Sequence, residues 1–412
     1  AKTWDATHHT TAHTQAIRTV VQECYSQNAK KNRITMKIGV ITFSNSKDNY
    51  GQMLQIYAMQ CFLKKMGHEC FLIRYTDSPK ATASFKWNKV MTYLCKFPQY
   101  VMWYIQQKKE SHQQRVYATS AQSSNTLRRF DDFLMDNIEM THLIYDEESI
   151  MDNPPQADAY ICGSDQIWCG DWAYYLNFAP ENSIKIAYAP SMGGITDFPP
   201  EYETQMKQLI HRLDFVGMRE KSGVEVCKRL GRSDTVKVVD PTLLLDTADY
   251  DKIRIPTTAK KPYIFLYLLG NPIGYKTKYF YDYAASKGLE VVYVASQGKV
   301  DDYKKFPAQV GEWIELLANA EMVITNSFHC TVFSLIYHRR VVTVPLTGGY
   351  ERMNTRIYEL LKNAKLEQLV LKEDLDQYQL SDWNFRDFDM YKNTELKRST
   401  GYFNDILATK SI

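Results

Sequence analysis

From residue 36 onward the chain repeats one pattern: a short, wholly apolar run, a polar loop, then a helical stretch. Short runs apolar on both faces suit a parallel sheet covered by helices, and little else. The first run, residues 37–43, leads into residues 51–66, where Leu54, Ala58, Cys61 and Phe62 recur at helical spacing. Gly67 stops that helix and residues 70–74 form the next strand, giving a parallel βαβ unit. Further strands are expected at 159–162, 184–189, 215–218 and 236–239. A linker rich in Ala, Thr, Pro and Lys spans 246–261. A second set of strands follows at 263–269, 290–295, 322–325 and 341–344, with helices at 313–320, 331–338 and 356–363. The expected fold is α/β, two Rossmann-like open-sheet domains facing a cleft. The first occupies 36–250, the second 251–375, and residues 376–412 form a tail.

Two stretches depart from this rhythm. Residues 1–35 are polar and rich in Thr and His, and they read as a leading extension that the first sheet does not need. Residues 80–150 read as a helical insertion on the first domain. Within it Trp87, Tyr93, Phe97, Tyr100, Trp103 and Tyr104 stand among Lys86, Lys89, Lys96 and Lys108, a mixture suited to packing on the domain or to peripheral contact with a membrane surface.

Charge and cysteine usage narrow the function. Fifty Lys and Arg against 47 Asp and Glu give +3, too balanced for a protein that binds nucleic acid through its phosphates. The eight cysteines form no CxxC pair, and several sit in apolar runs, which favours a reducing cytoplasm. No run approaches the ~20 apolar residues of a membrane helix. No cluster has metal-ligand spacing, so no metal is expected.

Open parallel sheets bind ligands outside the carboxyl ends of their strands. After the first strand come Asn49 and Tyr50, with Gln55 in the helix that follows; the loop has neither GxGxxG nor GKS/T. After 159–162 come Ser164, Asp165, Gln166 and Trp168, a carboxylate, an amide and an indole suited to a sugar. After 215–218 comes Arg219, a fork for carboxylate or phosphate. After 322–325 come Asn326, Ser327 and His329 at a helix start, where anions are favoured. Arg352 and Arg356 add positive charge. Each also has a structural reading: Asn49 as an N-cap, Trp168 as core, Arg219 paired internally, His329 as a buried ring.

These loops, taken in order, resemble the polysaccharide pyruvyl transferase family. The resemblance rests on 37–39, 49–58, 163–168, 219–223, 240–245 and 326–333. It implies a glycosyltransferase-B-like pair of domains and transfer of the enolpyruvyl unit of phosphoenolpyruvate onto two sugar hydroxyls, forming a pyruvate ketal and releasing phosphate. Phosphoenolpyruvate is then a co-substrate and no other cofactor is implied. The partner is a saccharide, lipid-linked in one version of this reading, handled in the cytoplasm or at the inner face of the membrane. By motif match Arg219 and His329 are the donor-site counterparts. Asn326, Ser327 and Arg356 join Arg219 on the donor side, His329 is the acid and Asp165 the base. Asn49, Tyr50, Gln55, Ser164, Gln166 and Trp168 face the acceptor. Two positions depart from the family: Cys330 stands where relatives usually have Gly, and Phe328 where some have Arg, a loss that Arg352 or Arg356 is placed to make good. A nucleotide-sugar glycosyltransferase of the same architecture and a non-catalytic sugar binder remain alternatives.

Overall fold

The computed structural model describes residues 35–76, 127–168, 171–259, 262–296, 298–378 and 383–408. The readings made for residues 1–35 and for the aromatic stretch 87–107 therefore lie outside the described residues, Thr35 apart. Ten strands form two wholly parallel sheets. The first has the order β2-β1-β3-β4-β5-β6, built from Lys37–Ile41, Glu69–Leu72, Ala159–Cys162, Ile184–Tyr188, Phe215–Met218 and Val236–Lys237 as β1 to β6. The second has the order β10-β9-β7-β8, from Tyr263–Leu269, Glu290–Ser296, Met322–Thr325 and Val341–Thr343 as β7 to β10. The α/β class with two Rossmann-like domains is thus present.

In each sheet the chain first pairs outward on one side and then returns to the other. The crevices where ligands collect accordingly open between β1 and β3 and between β7 and β9. Helix α1, Tyr50–Lys65, follows β1, and thirteen of its sixteen residues are buried. A surface helix shows one apolar stripe, whereas one buried nearly all round is a core element. The second domain buries the remaining face of α1. The Tyr50 ring stacks on Trp313 with centroids 5.5 Å apart, and its hydroxyl donates to Ala308 O at 2.7 Å. One apolar cluster therefore runs unbroken through both domains, while the outer face of each sheet has a core of its own.

Between β2 and β3 the described residues hold α2, Phe130–Asn137, and α3, Glu147–Asp152. They also hold two parallel bridges, Leu72 to Met140 and Tyr75 to Tyr145, that extend the sheet edge. The described residues of this stretch thus hold both helix and sheet-edge bridges. In the first domain β4 leads into α4, Pro200–His211, and β5 into α5, Lys221–Arg229.

The stretch read as a linker is a strut instead. It contains α6, Thr247–Tyr250, whose Tyr250 is fully buried against Phe333 with ring centroids 4.7 Å apart. The second domain then adds α7, Thr277–Ser286, α8, Val310–Ala318, α9, Phe328–Ile336, and α10, Thr355–Asn363. The stretch read as a tail carries α11, Arg386–Ala408, which packs on the first domain. Its Phe403 meets the rings of Phe62 and Tyr188 at 5.4 and 5.0 Å, and Ser399 Oγ lies 2.9 Å from Tyr188 Oη. Among the described residues no helix is long and apolar enough to cross a membrane.

If α11 completes the core, Phe403→Ala costs about 3–5 kcal/mol of folding stability. Urea unfolding checks this, and a change near zero would return α11 to the status of a tail.

Candidate active site

The amino-terminal ends of α1 and α9 and the carboxyl ends of β3, β5 and β6 meet at one buried point, the Asp240 carboxylate. The Asp240 side chain has no exposure to solvent. Its Oδ1 caps the following turn, accepting from Thr242 N at 3.1 Å and Thr242 Oγ1 at 2.8 Å. Its Oδ2 accepts from Ser164 Oγ at 2.8 Å and Arg219 Nη1 at 2.9 Å. His329 Nε2 stands 3.4 Å from the same oxygen, an ion-pair distance without hydrogen-bond alignment. Burial pushes this carboxyl up, but His329 and Arg219 outweigh it and hold it far below the usual carboxylate range.

Arg219, which follows β5, is buried as well. Its Nε donates to Glu220 Oε1 at 2.9 Å, and Nη1 also lies 3.4 Å from Ser164 Oγ. The remaining nitrogen, Nη2, is buried without a partner. Burial opposes the charge, but Glu220, Asp240 and Asp165 more than offset it and keep the guanidinium firmly protonated. Arg356, on α10, brings a second guanidinium to the same place. Both lie over the Phe328 ring, Arg219 at 5.3 Å and Arg356 at 5.7 Å from its centroid. Burial and the charge of Arg219 push Arg356 down to about 10, so it remains a cation at neutral pH. With the Gln166 amide oxygen turned toward it, Arg356 donates from Nη1 at 2.8 Å and Nη2 at 3.1 Å, a bond across the cleft. Beside these groups lies a small pocket, partly open to solvent, lined by Arg219, Glu220, Asp240, Phe328, Arg356 and Glu359 among others.

His329 is held from its other side by a glycine. A Cβ at Gly51, in the first turn of α1, would lie 2.2 Å from His329 Nδ1. The ring therefore sits in a notch that only glycine leaves open. Asp165 has a positive φ of 74°. Its carboxylate accepts from Gln166 N at 2.8 Å and Gln52 Nε2 at 3.4 Å, and it faces the Arg219 charge. Arg352 is exposed and packs against Gly194 across the cleft, so Arg356 rather than Arg352 supplies the guanidinium beside Phe328.

Arg219, Arg356, His329, Ser164 and Asp165 thus converge, but several expected ligand contacts give way to structural ones. Trp168 is fully buried, stacked on Tyr175 at 4.8 Å and donating from Nε1 to Tyr174 O, so it offers no sugar platform. Tyr50 is consumed by the domain interface. Gln55 is buried, accepting from Ser164 N at 3.2 Å and donating toward Thr42 Oγ1 at 3.3 Å, and so shapes the loop rather than facing an acceptor. Ser164 is itself fully buried and holds Asp240. Asn49 caps α1 through Gln52 N. Asn326 clamps the end of β7, accepting from Leu269 N at 2.7 Å and donating to Leu269 O at 3.2 Å, which leaves its amide no reach to a donor. Ser327 caps α9 through Cys330 N. Asp240, Glu220 and Gly51 were missed. The available signal for Asp240 was an acidic residue at a strand end inside the apolar run 236–245.

A family model described as polysaccharide pyruvyl transferase matches residues 49–346, most of the chain, with Asp165, Arg219, Asp240 and His329 inside the match and Arg356 beyond it. The chain belongs to the polysaccharide pyruvyl transferase family. Comparison with curated proteins gives no match. Among solved structures it is similar to a Listeria monocytogenes protein described as a UDP-N-acetylglucosamine 2-epimerase, at 11% identity and a TM-score of 0.46, over 90% of this chain and 98% of that one. It is also similar to the UDP-GlcNAc 2-epimerase of Methanocaldococcus jannaschii, at 7% and 0.43, over 88% and 92%. The calicheamicin glycosyltransferase CalG4 stands at 9% and 0.38, over 92% and 100%. Likenesses this distant say nothing of the reaction.

Two tests address this geometry. Alanine ordinarily stabilises a helix relative to glycine, by about 1 kcal/mol. Gly51→Ala should instead cost about 1–3 kcal/mol and displace the His329 ring. The control is Gly274→Ala, where a Cβ meets nothing within 4 Å; equal melting temperatures for the two variants would refute the notch. The second test is acid stability. Asp240 ionises near 3.9 when unfolded and far lower when folded, so its contribution is complete above about pH 5 and drains away as pH falls. Asp240→Asn should flatten the fall in melting temperature between about pH 5 and pH 2. An unaltered acid limb would contradict the assignment.

Proposed function

We propose that this enzyme transfers the pyruvyl group of phosphoenolpyruvate to two hydroxyls of a sugar in a surface polysaccharide or its precursor, forming a pyruvate ketal and releasing phosphate. The observation that carries the reading is the pair of guanidinium groups, Arg219 and Arg356, gathered over Phe328 beside His329, with Arg219 Nη2 buried and unpartnered. The donor carries two anionic groups, a carboxylate and a phosphate, and each suits the planar fork of an arginine. Family membership supports the reaction class.

The donor's C2 becomes electrophilic only when C3 gains a proton. His329 supplies that proton, and the C2–C3 π pair becomes the new C3–H bond. A sugar hydroxyl adds to C2, giving its proton to Asp165. The C2–O bond to phosphate then breaks, and the second hydroxyl closes the ketal. Its proton returns to His329, while the one held by Asp165 leaves with phosphate. General acid help of this kind is worth roughly 10²–10⁴-fold. The acceptor enters from the first domain, along loop 44–49 and past Gln166 and the Gly193–Gly194 turn. A lipid-linked acceptor would place the enzyme at the cytoplasmic face of a membrane, and the free thiols Cys61, Cys70, Cys162, Cys227 and Cys330 suit that compartment.

The test is to supply phosphoenolpyruvate with a panel of free and lipid-linked saccharides and to follow phosphate release together with a pyruvyl mass gain on the sugar. Arg219→Lys should weaken donor binding and leave acceptor binding intact. His329→Ala should lower turnover by roughly 10²–10⁴-fold. His329→Gln hydrogen-bonds an anion but delivers no proton, so near-normal turnover in that variant would remove His329 as the acid. Transfer of a sugar from a nucleotide-sugar, with no phosphate released from phosphoenolpyruvate, would replace the reading by glycosyl transfer.

A further inference from the structure

Asp240 does more than close a turn. A turn cap needs one carboxylate oxygen, and Thr242 takes Oδ1 for that purpose. The other oxygen, Oδ2, collects donors from elsewhere: Ser164 from the β3 loop and Arg219 from the β5 loop, with His329 of the second domain facing it. His329 Nε2 is buried and hydrogen-bonds to no protein group, and Asp240 Oδ2 is the acceptor atom it faces. The opposite nitrogen, Nδ1, lies on the side of Gly51, where a Cβ would come within 2.2 Å of it. Asp240 faces Nε2, which leaves Nδ1 for the proton that the donor takes.

Resting on the pyruvyl-transfer reading, we propose that Asp240 is the positioning residue of this site: it orients His329 and faces it with a counter-charge while touching Arg219, so that the proton donor and the anion receptor share one carboxylate. Two consequences follow from charge alone. Removing the carboxylate takes a negative group away from Arg219, which leaves an anionic donor bound at least as tightly. It also leaves the His329 ring without its counter-charge, which lowers turnover. A purely structural Asp240 would weaken binding and turnover together.

The experiment is a double-mutant cycle on the full chain: wild type, Asp240→Asn, His329→Gln and the double variant. Phosphoenolpyruvate binding is read by calorimetry and turnover by phosphate release. Asp240→Asn should lower kcat roughly 10²-fold, with the donor dissociation constant unchanged or smaller. In the His329→Gln background the same change should alter kcat by less than about threefold. Additive losses, or a donor dissociation constant that rises in step with the fall in kcat, would overturn the proposal. Asp240→Glu keeps the charge and should retain at least about ten times the turnover of the Asn variant. If Asp240→Asn fails to fold, the cycle is run with Asp240→Glu: whatever kcat it loses should vanish in the His329→Gln background, and a loss that persists there overturns the proposal. Should the wild type release no phosphate with any acceptor, the pyruvyl-transfer reading falls, and the ring nitrogen-15 signals of His329 at fixed pH decide the Asp240 assignment alone. Movement of those signals in Asp240→Asn upholds it, and unmoved signals overturn it.

Discussion

A carboxylate taken out of water costs several kcal/mol unless donors replace its hydration, and the centre of this molecule is organised around that demand. Asp240 sits where β6 ends, with no solvent contact. Its oxygens draw in the β3 loop through Ser164, the β5 loop through Arg219 and the start of α9 through His329. Those partners are in turn held by others. Gln55 accepts from Ser164 N, Glu220 binds Arg219 Nε, and Gly51 leaves room for the imidazole. The strand ends of one domain and a helix start of the other are thereby fixed by a single charge.

The same arrangement constrains how the domains move. Helix α1 belongs to the first sheet by connection, yet it is buried by both domains, and α11 returns from the second domain to complete the first. Opening the whole interface would expose Tyr50, Trp313 and Tyr250 to water, each of them a large apolar area. What can adjust more cheaply is the polar rim, where Gln166 meets Arg356 and Gly194 meets Arg352. Admission of ligand by local rearrangement of these loops and side chains costs less than separation of the domains.

The strand and helix order was legible in the sequence because apolar runs and helical spacing are local signals. Both sheets followed from the apolar runs, and the grouping of Arg219, His329 and Asp165 from strand ends together with the family resemblance. The failures share one physical cause. A residue after a strand projects either into the cleft or back beneath the loop, and the choice depends on partners far away in sequence. Trp168 turns inward onto Tyr175, Tyr50 inward onto Trp313, and Gln55 toward Ser164 across 109 residues. Asp240 was overlooked for the converse reason. Surrounded by Val, Leu and Pro, it reads as part of a core strand and turn, and its importance lies in partners 76, 21 and 89 positions away.

Phe328 shows how two like charges are held side by side. At the start of α9 the chain presents an aromatic ring, and Arg356 on α10 lies over it together with Arg219. The ring is not merely filler. Two guanidinium groups repel, and burial together with the charge of Arg219 holds Arg356 down to about 10. A π face draws a cation without adding a third charge, and it attracts both arginines at once. Gln166 supplies the remaining restraint with a neutral oxygen. The carboxylates of Glu220 and Asp240 hold Arg219, whereas the ring and the amide hold the Arg356 fork in place with neutral groups that leave its charge uncancelled.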